Sequence, residues 1–161
     1  MSNPIPQSQP PQAAVDQIIG LYNQGRLQEM IQKAEEIALH SAPNIMLFNL
    51  IAAANAGLKN LDLAIENFQK VLEINPQDAT AYYNIGNIYR EKEEYDAEIE
   101  SYKKALSIKP DHAQSYNNMG SALKAKGDIT AAINNFKQAL NIKRDFAEAH
   151  YNLGVTLHEL G

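Results

Sequence analysis

The sequence predicts an all-α solenoid of antiparallel helix pairs, and three observations carry that prediction. Residues of one type recur at an interval of 34: Gly86, Gly120 and Gly154; Asn84, Asn118 and Asn152; Pro76 and Pro110. A fixed period of this length marks a supersecondary unit that cannot bury its apolar face alone and must stack on its neighbours. Inside each period the apolar residues fall at helical spacing, as in Tyr82, Ile85 and Tyr89, then Ile99, Tyr102 and Leu106. Helix-ending residues punctuate the pattern, with Lys59-Asn60 and Gly127-Asp128 at turns within units and Pro76 and Pro110 closing second helices.

Taken in order, residues 1–11 (MSNPIPQSQPP) read as a disordered leader, because Pro, Gln and Ser bury too little surface to offset the entropy of ordering. The array occupies residues 12–161, with units at about 11–44, 45–78, 79–112, 113–146 and an incomplete 147–161. In the first unit only Gly25, Leu27, Ala34 and Ile37 keep the register, as expected of a divergent end unit.

The repeat resembles the tetratricopeptide repeat, whose 34-residue signature runs W-x₂-L-G-x₂-Y…A-x₃-F…A…P. The third unit matches with Tyr82, Ile85, Gly86, Tyr89, Tyr102, Ala105 and Pro110, and the fourth with Tyr116, Met119, Gly120, Leu123, Ala132, Phe136 and Ala139. The second supplies Phe48, Ile51, Ala52, Ala64, Phe68, Val71 and Pro76. The resemblance implies a right-handed superhelix of about four and a half units and nine helices. Two departures carry expectations. Glu98 stands where sister units place Ala64 and Ala132, so a carboxylate is predicted to be partly buried. Arg144 replaces the closing proline of the fourth unit, which predicts a longer or differently bent helix before Phe146.

Composition narrows the function. The net charge of −5 offers no excess of cations to a phosphate backbone, so nucleic acid is not an expected partner. No run approaches the roughly 18 apolar residues of a spanning helix, so no membrane is expected either, and a cytoplasmic location is the expectation. With no cysteines, thiolate metal sites and cysteine nucleophiles are excluded. The four histidines are scattered: His150 and His158 share a helix but stand about 12 Å apart along it, and His40 and His112 lie at unit boundaries as solvated helix ends. No phosphate-binding glycine motif occurs. The chain is therefore not expected to be an enzyme, to hold a metal or to use a cofactor.

The informative residues are amides. Asparagine is a mediocre helix former, yet Asn84, Asn87, Asn117, Asn118 and Asn152 lie within first helices. In a stacked array Asn84, Asn118 and Asn152 would form a ladder on the concave surface, similar to the one lining the superhelix of the O-linked N-acetylglucosamine transferases. With Asn87 and the tyrosines Tyr83 and Tyr151, this ladder is the expected groove for a protein or peptide segment, since an amide can both donate to and accept from an extended backbone. Consensus drift within the family is the competing explanation. The groove lacks the cations that family members use to clamp a terminal carboxylate. The regular array after QIIGLYNQGRLQEMIQKAEEIA resembles those in front of sulfotransferase or glycosyltransferase domains, which would make this chain the recruiting arm of a larger protein. The alternative is a self-assembling scaffold, in which Leu153, Leu157 and Leu160 of an uncovered C-terminal helix pair between copies.

Overall fold

The computed structural model describes residues 8–160, which contain nine α-helices and no strand. They are α1 (Gln12–Asn23), α2 (Leu27–His40), α3 (Ile45–Gly57), α4 (Leu61–Ile74), α5 (Ala79–Glu91), α6 (Tyr95–Ile108), α7 (Ala113–Ala125), α8 (Ile129–Ile142) and α9 (Ala147–Leu160). First helices from α3 onward begin at Ile45, Ala79, Ala113 and Ala147, and second helices at Leu27, Leu61, Tyr95 and Ile129, each at an interval of 34. The helices gather into two compact units, one ending at Pro76 and one beginning at Gln77.

The short turns inside the pairs share one backbone solution. Gly25, Lys59, Glu93 and Gly127 occupy equivalent places and all have positive φ, at 72°, 64°, 58° and 85°. A left-handed residue lets the chain reverse while the next amide reaches back to the helix, as Glu94 N does to Tyr89 O at 3.0 Å. Two of the four positions carry a side chain there, which strains the backbone modestly. At the other end, side chains cap helix starts: Asn44 accepts from Leu47 N, Asp78 from Ala81 N and Asp128 from Ala131 N.

In the first unit, Ile18, Met30, Leu47 and Ile51 form the fully buried heart of the core. Residues 8–11 lie against the α2–α3 loop, where Ala42 N donates to Ser8 O at 2.9 Å and Asn44 Nδ2 to Gln9 Oε1 at 3.0 Å. Of the expected leader, residues 1–7 lie outside the described residues.

In the second unit, aromatic rings of second helices press on first-helix glycines. A Cβ on Gly86 would meet the Tyr102 ring at 2.5 Å, and one on Gly120 the Phe136 ring at 2.7 Å, so these positions exclude every other residue without movement. Gly154 meets nothing within 4 Å. The expected extension of the helix before Phe146 does not occur. α8 stops at Ile142, level with α4 at Ile74 and α6 at Ile108, and Lys143 N makes the same closing bond to Ala139 O that Lys109 N makes to Ala105 O. Here the turn is held after the helix, by burial of Phe146 and by the His150 ring, whose Nε2 is 2.8 Å from Arg144 O. A proline is one way to end a helix, and a docked aromatic serves as another.

Glu98 goes further than its expected partial burial. It is 1% exposed, and neither carboxylate oxygen has a hydrogen-bond partner among the described residues. Burial drives its pKa up to about 7, with Arg90 pulling weakly the other way.

Candidate functional site

The first helices α5, α7 and α9 lie side by side in the second unit, and their neighbouring faces are joined by side-chain amides. Asn118 Nδ2 donates to Asn87 Oδ1 at 3.1 Å, linking α7 to α5. Asn152 Nδ2 donates to Asn117 Oδ1 at 3.0 Å, and Asn117 Nδ2 donates to Glu148 Oε1 at 2.9 Å, linking α9 to α7. Gln114 Nε2 donates to Asn118 Oδ1 at 3.0 Å. From the second-helix layer the Tyr102 hydroxyl donates to Asn87 Oδ1 at 2.8 Å. Burial pushes the Tyr102 pKa well above its usual value, so the phenol stays a neutral donor.

This seam accounts for the asparagines in helix interiors. Asn117 is 0% exposed and Asn118 2%, so their polar atoms must be paired internally, and they are. Of the expected ladder, Asn118 is thus a buried link with both amide atoms engaged. Asn152 and Asn87 are half-buried, each with one edge tied to a neighbouring helix. Asn84 is half-buried and makes no side-chain hydrogen bond among the described residues. The structure brings Asn87, Asn118 and Asn152 into one network with Asn117, and leaves Asn84 beside it.

The tyrosines divide in the same way. Tyr83 packs its ring against Tyr102, with centroids 5.9 Å apart, and edge-on against His112 at 4.9 Å. Tyr151 is 70% exposed. His112 differs from the solvated helix end read from sequence: it is half-buried under Tyr83, with Nδ1 2.7 Å from Ser115 Oγ, and burial followed by the charge of Lys109 lowers its pKa.

Charge on this face is sparse. Lys124 on α7 is paired with Glu159 on α9 at 2.9 Å. Glu148 is exposed and has no cationic partner among the described residues. Among those residues no three His, Asp or Glu side chains converge as a metal site would require, and no helix is long and apolar enough to cross a membrane. Two clefts of about 440 Å³ open in the first unit, one beside Ser8 and Gln9 and one between Leu39 and Lys70 over Phe48. The first is also lined by Lys33, Glu36, His40 and Ser41, whereas the α5–α7–α9 face joins three successive first helices through side-chain amides.

A family model described as TPR repeat matches residues 58–89, 86–127 and 120–161. The chain belongs to the tetratricopeptide repeat family. No curated protein matches it. Among solved structures it is similar to MamA, at 26% identity over 85% of this chain and 75% of that one, with a TM-score of 0.77. It shares a fold with YrrB, described as a TPR protein with an unusual peptide-binding site, at 19% identity over 86% and 72% of the two chains and a TM-score of 0.77. The first TPR of Spaghetti (RPAP3), bound to the HSP90 peptide SRMEEVD, follows at 16% identity over 72% and 92%, with a TM-score of 0.69. The tetratricopeptide register places Gln114 and Glu148 at equivalent positions, as it does Tyr83, Asn117 and Tyr151. Sequence reasoning singled out the asparagines but not their bonds to Glu148, for which the available signal was an amide and an acid 31 residues apart on successive first helices.

Proposed function

We propose that the α5–α7–α9 face binds an extended segment of a partner protein, through Tyr83, Asn84, Asn87, Asn152 and Tyr151, with the buried Asn118 holding Asn87 in place from beneath. The carrying observation is that amides on three successive first helices hold one another in fixed orientations while Asn84 and the outer edges of Asn87 and Asn152 stay within reach of solvent. A held amide presents its donor and acceptor at little further entropic cost, which suits pairing with a peptide backbone. Tyr151 supplies an exposed ring beside them. The peptide-binding tetratricopeptide proteins of the same fold support this reading, and it makes the chain a non-catalytic recruiting arm of a larger protein, of the kind that precedes a sulfotransferase or glycosyltransferase domain.

The test is backbone amide NMR during titration with a library of short blocked peptides. Binding peptides are expected to shift α5, α7 and α9, and Asn84→Ala with Tyr151→Ala is expected to abolish those shifts while circular dichroism stays unchanged. Shifts confined to α6 and α8 would place binding on the opposite layer and end the proposal.

A second reading rests on its own observation. Leu157 is 45% and Leu160 66% exposed on α9, an apolar stripe suited to pairing between copies of a self-assembling scaffold. Sedimentation that stays monomeric over a wide concentration range would dismiss it.

A further inference from the structure

The proposed peptide face has an electrostatic polarity that names its ligand class. On α9, Glu148, Tyr151 and Asn152 are separated by three and four residues and so share one side of the helix. Asn117, itself 0% exposed, donates to Glu148 Oε1 at 2.9 Å and fixes that carboxylate from below. Its second oxygen makes no hydrogen bond among the described residues. The other charges between α7 and α9, Lys124 and Glu159, neutralise each other at 2.9 Å. The α7–α9 part of the face therefore carries one oriented carboxylate with no ion-pair partner among the described residues, beside an exposed aromatic ring, while the exposed cation Arg90 belongs to the last turn of α5.

We infer that this face selects extended segments bearing a lysine or arginine, whose cationic head pairs with Glu148 and lies against the Tyr151 ring. The inference rests on the peptide-binding reading above and specifies its partner chemistry. Carboxylate and aromatic ring together match both parts of such a side chain, because a guanidinium or ammonium group pairs with the acid while the ring's negative face attracts it. An acidic segment would meet a like charge at Glu148 and find Lys124 already engaged. Asn117 matters because it holds the carboxylate in place: a flexible surface acid gains little from an ion pair, whereas a fixed one loses less freedom on pairing.

The test compares three blocked Gly-Ser peptides of one length, carrying two lysines, two norleucines or two glutamates, each titrated at low salt and followed by backbone amide NMR. The lysine peptide is expected to bind about three- to tenfold more tightly than the norleucine peptide, with the largest shifts at Glu148, Tyr151 and Asn152. The preference should collapse in Glu148→Gln, which keeps an acceptor for Asn117, and should shrink in high salt. Equal binding of all three peptides, or a preference that survives Glu148→Gln, would overturn the inference and leave the peptide-binding reading standing. If none of the three shifts any residue of α5, α7 or α9, both fall.

Discussion

The Tyr102 hydroxyl donates to Asn87 Oδ1 at 2.8 Å, and one period later the same two places hold Phe136 and Ser121, where the ring has no hydroxyl and the serine turns back to Asn117 O. The second-helix aromatic and the first-helix polar residue thus match one another within these two repeats. Tyr102→Phe should lower stability by about 0.5–1.5 kcal/mol, the worth of one internal hydrogen bond. Phe136→Tyr should destabilise by about 1–3 kcal/mol, since it buries a hydroxyl without a partner. Adding Ser121→Asn should recover part of that loss. A double-mutant cycle in urea measures the coupling, and additive effects would show that the pair is not a unit.

The three repeat glycines should part company. Gly120→Ala forces a Cβ against the Phe136 ring and is expected to destabilise by about 1–3 kcal/mol. Gly154→Ala meets open space inside a helix and should be neutral or stabilising by up to about 1 kcal/mol. Melting temperatures of the two variants check this, and equal shifts would show that helix propensity alone governs the position.

Glu93 is exposed at a φ of 58°, where glycine is unstrained. Glu93→Gly should stabilise by about 0.5–1 kcal/mol, as relief of the left-handed strain outweighs the added entropy of the unfolded chain. Chemical denaturation decides the sign.

Glu98 gives the fold a pH dependence. Its ordinary pKa of 4.5 applies to the unfolded chain, and its folded value is about 7. Between these values the folded state keeps a proton that the unfolded state has released. The contribution is therefore fully present below about pH 4.5, is lost as pH rises towards 7 and is gone above it, a change on the order of 3 kcal/mol. Glu98→Ala should be more stable than the parent at pH 8, with the advantage shrinking towards pH 5. Parallel stability curves for the two proteins would mean that Glu98 acquires a partner when it ionises.

How much of this was legible follows from the physics of each feature. The helix starts at Ile45, Ala79, Ala113 and Ala147 follow from apolar periodicity, which depends on residue type and spacing alone. The awkward position of Glu98 was visible by comparison with Ala64 and Ala132. The left-handed Glu93 was hidden, because a glutamate gives no sign of unusual φ until its repeat equivalents Gly25 and Gly127 are set beside it. The amide seam could not be read either: Asn84, Asn118 and Asn152 share a register position, yet their partners depend on rotamers and on contacts 31 and 35 residues away. The burial of His112 comes from the Tyr83 ring, a tertiary contact with no local signal in the sequence.

The amide seam also governs how the second unit yields under load. Apolar helix faces interlock loosely enough to trade one set of contacts for another, but the bonds from Asn118 to Asn87, from Asn152 to Asn117 and from Asn117 to Glu148 are directional and short-ranged. A slip of one turn, about 5.4 Å, would strand all three while Asn117 and Asn118 remain buried. Shear between α5, α7 and α9 is therefore stiff, because the three helices cannot slide without breaking these bonds together.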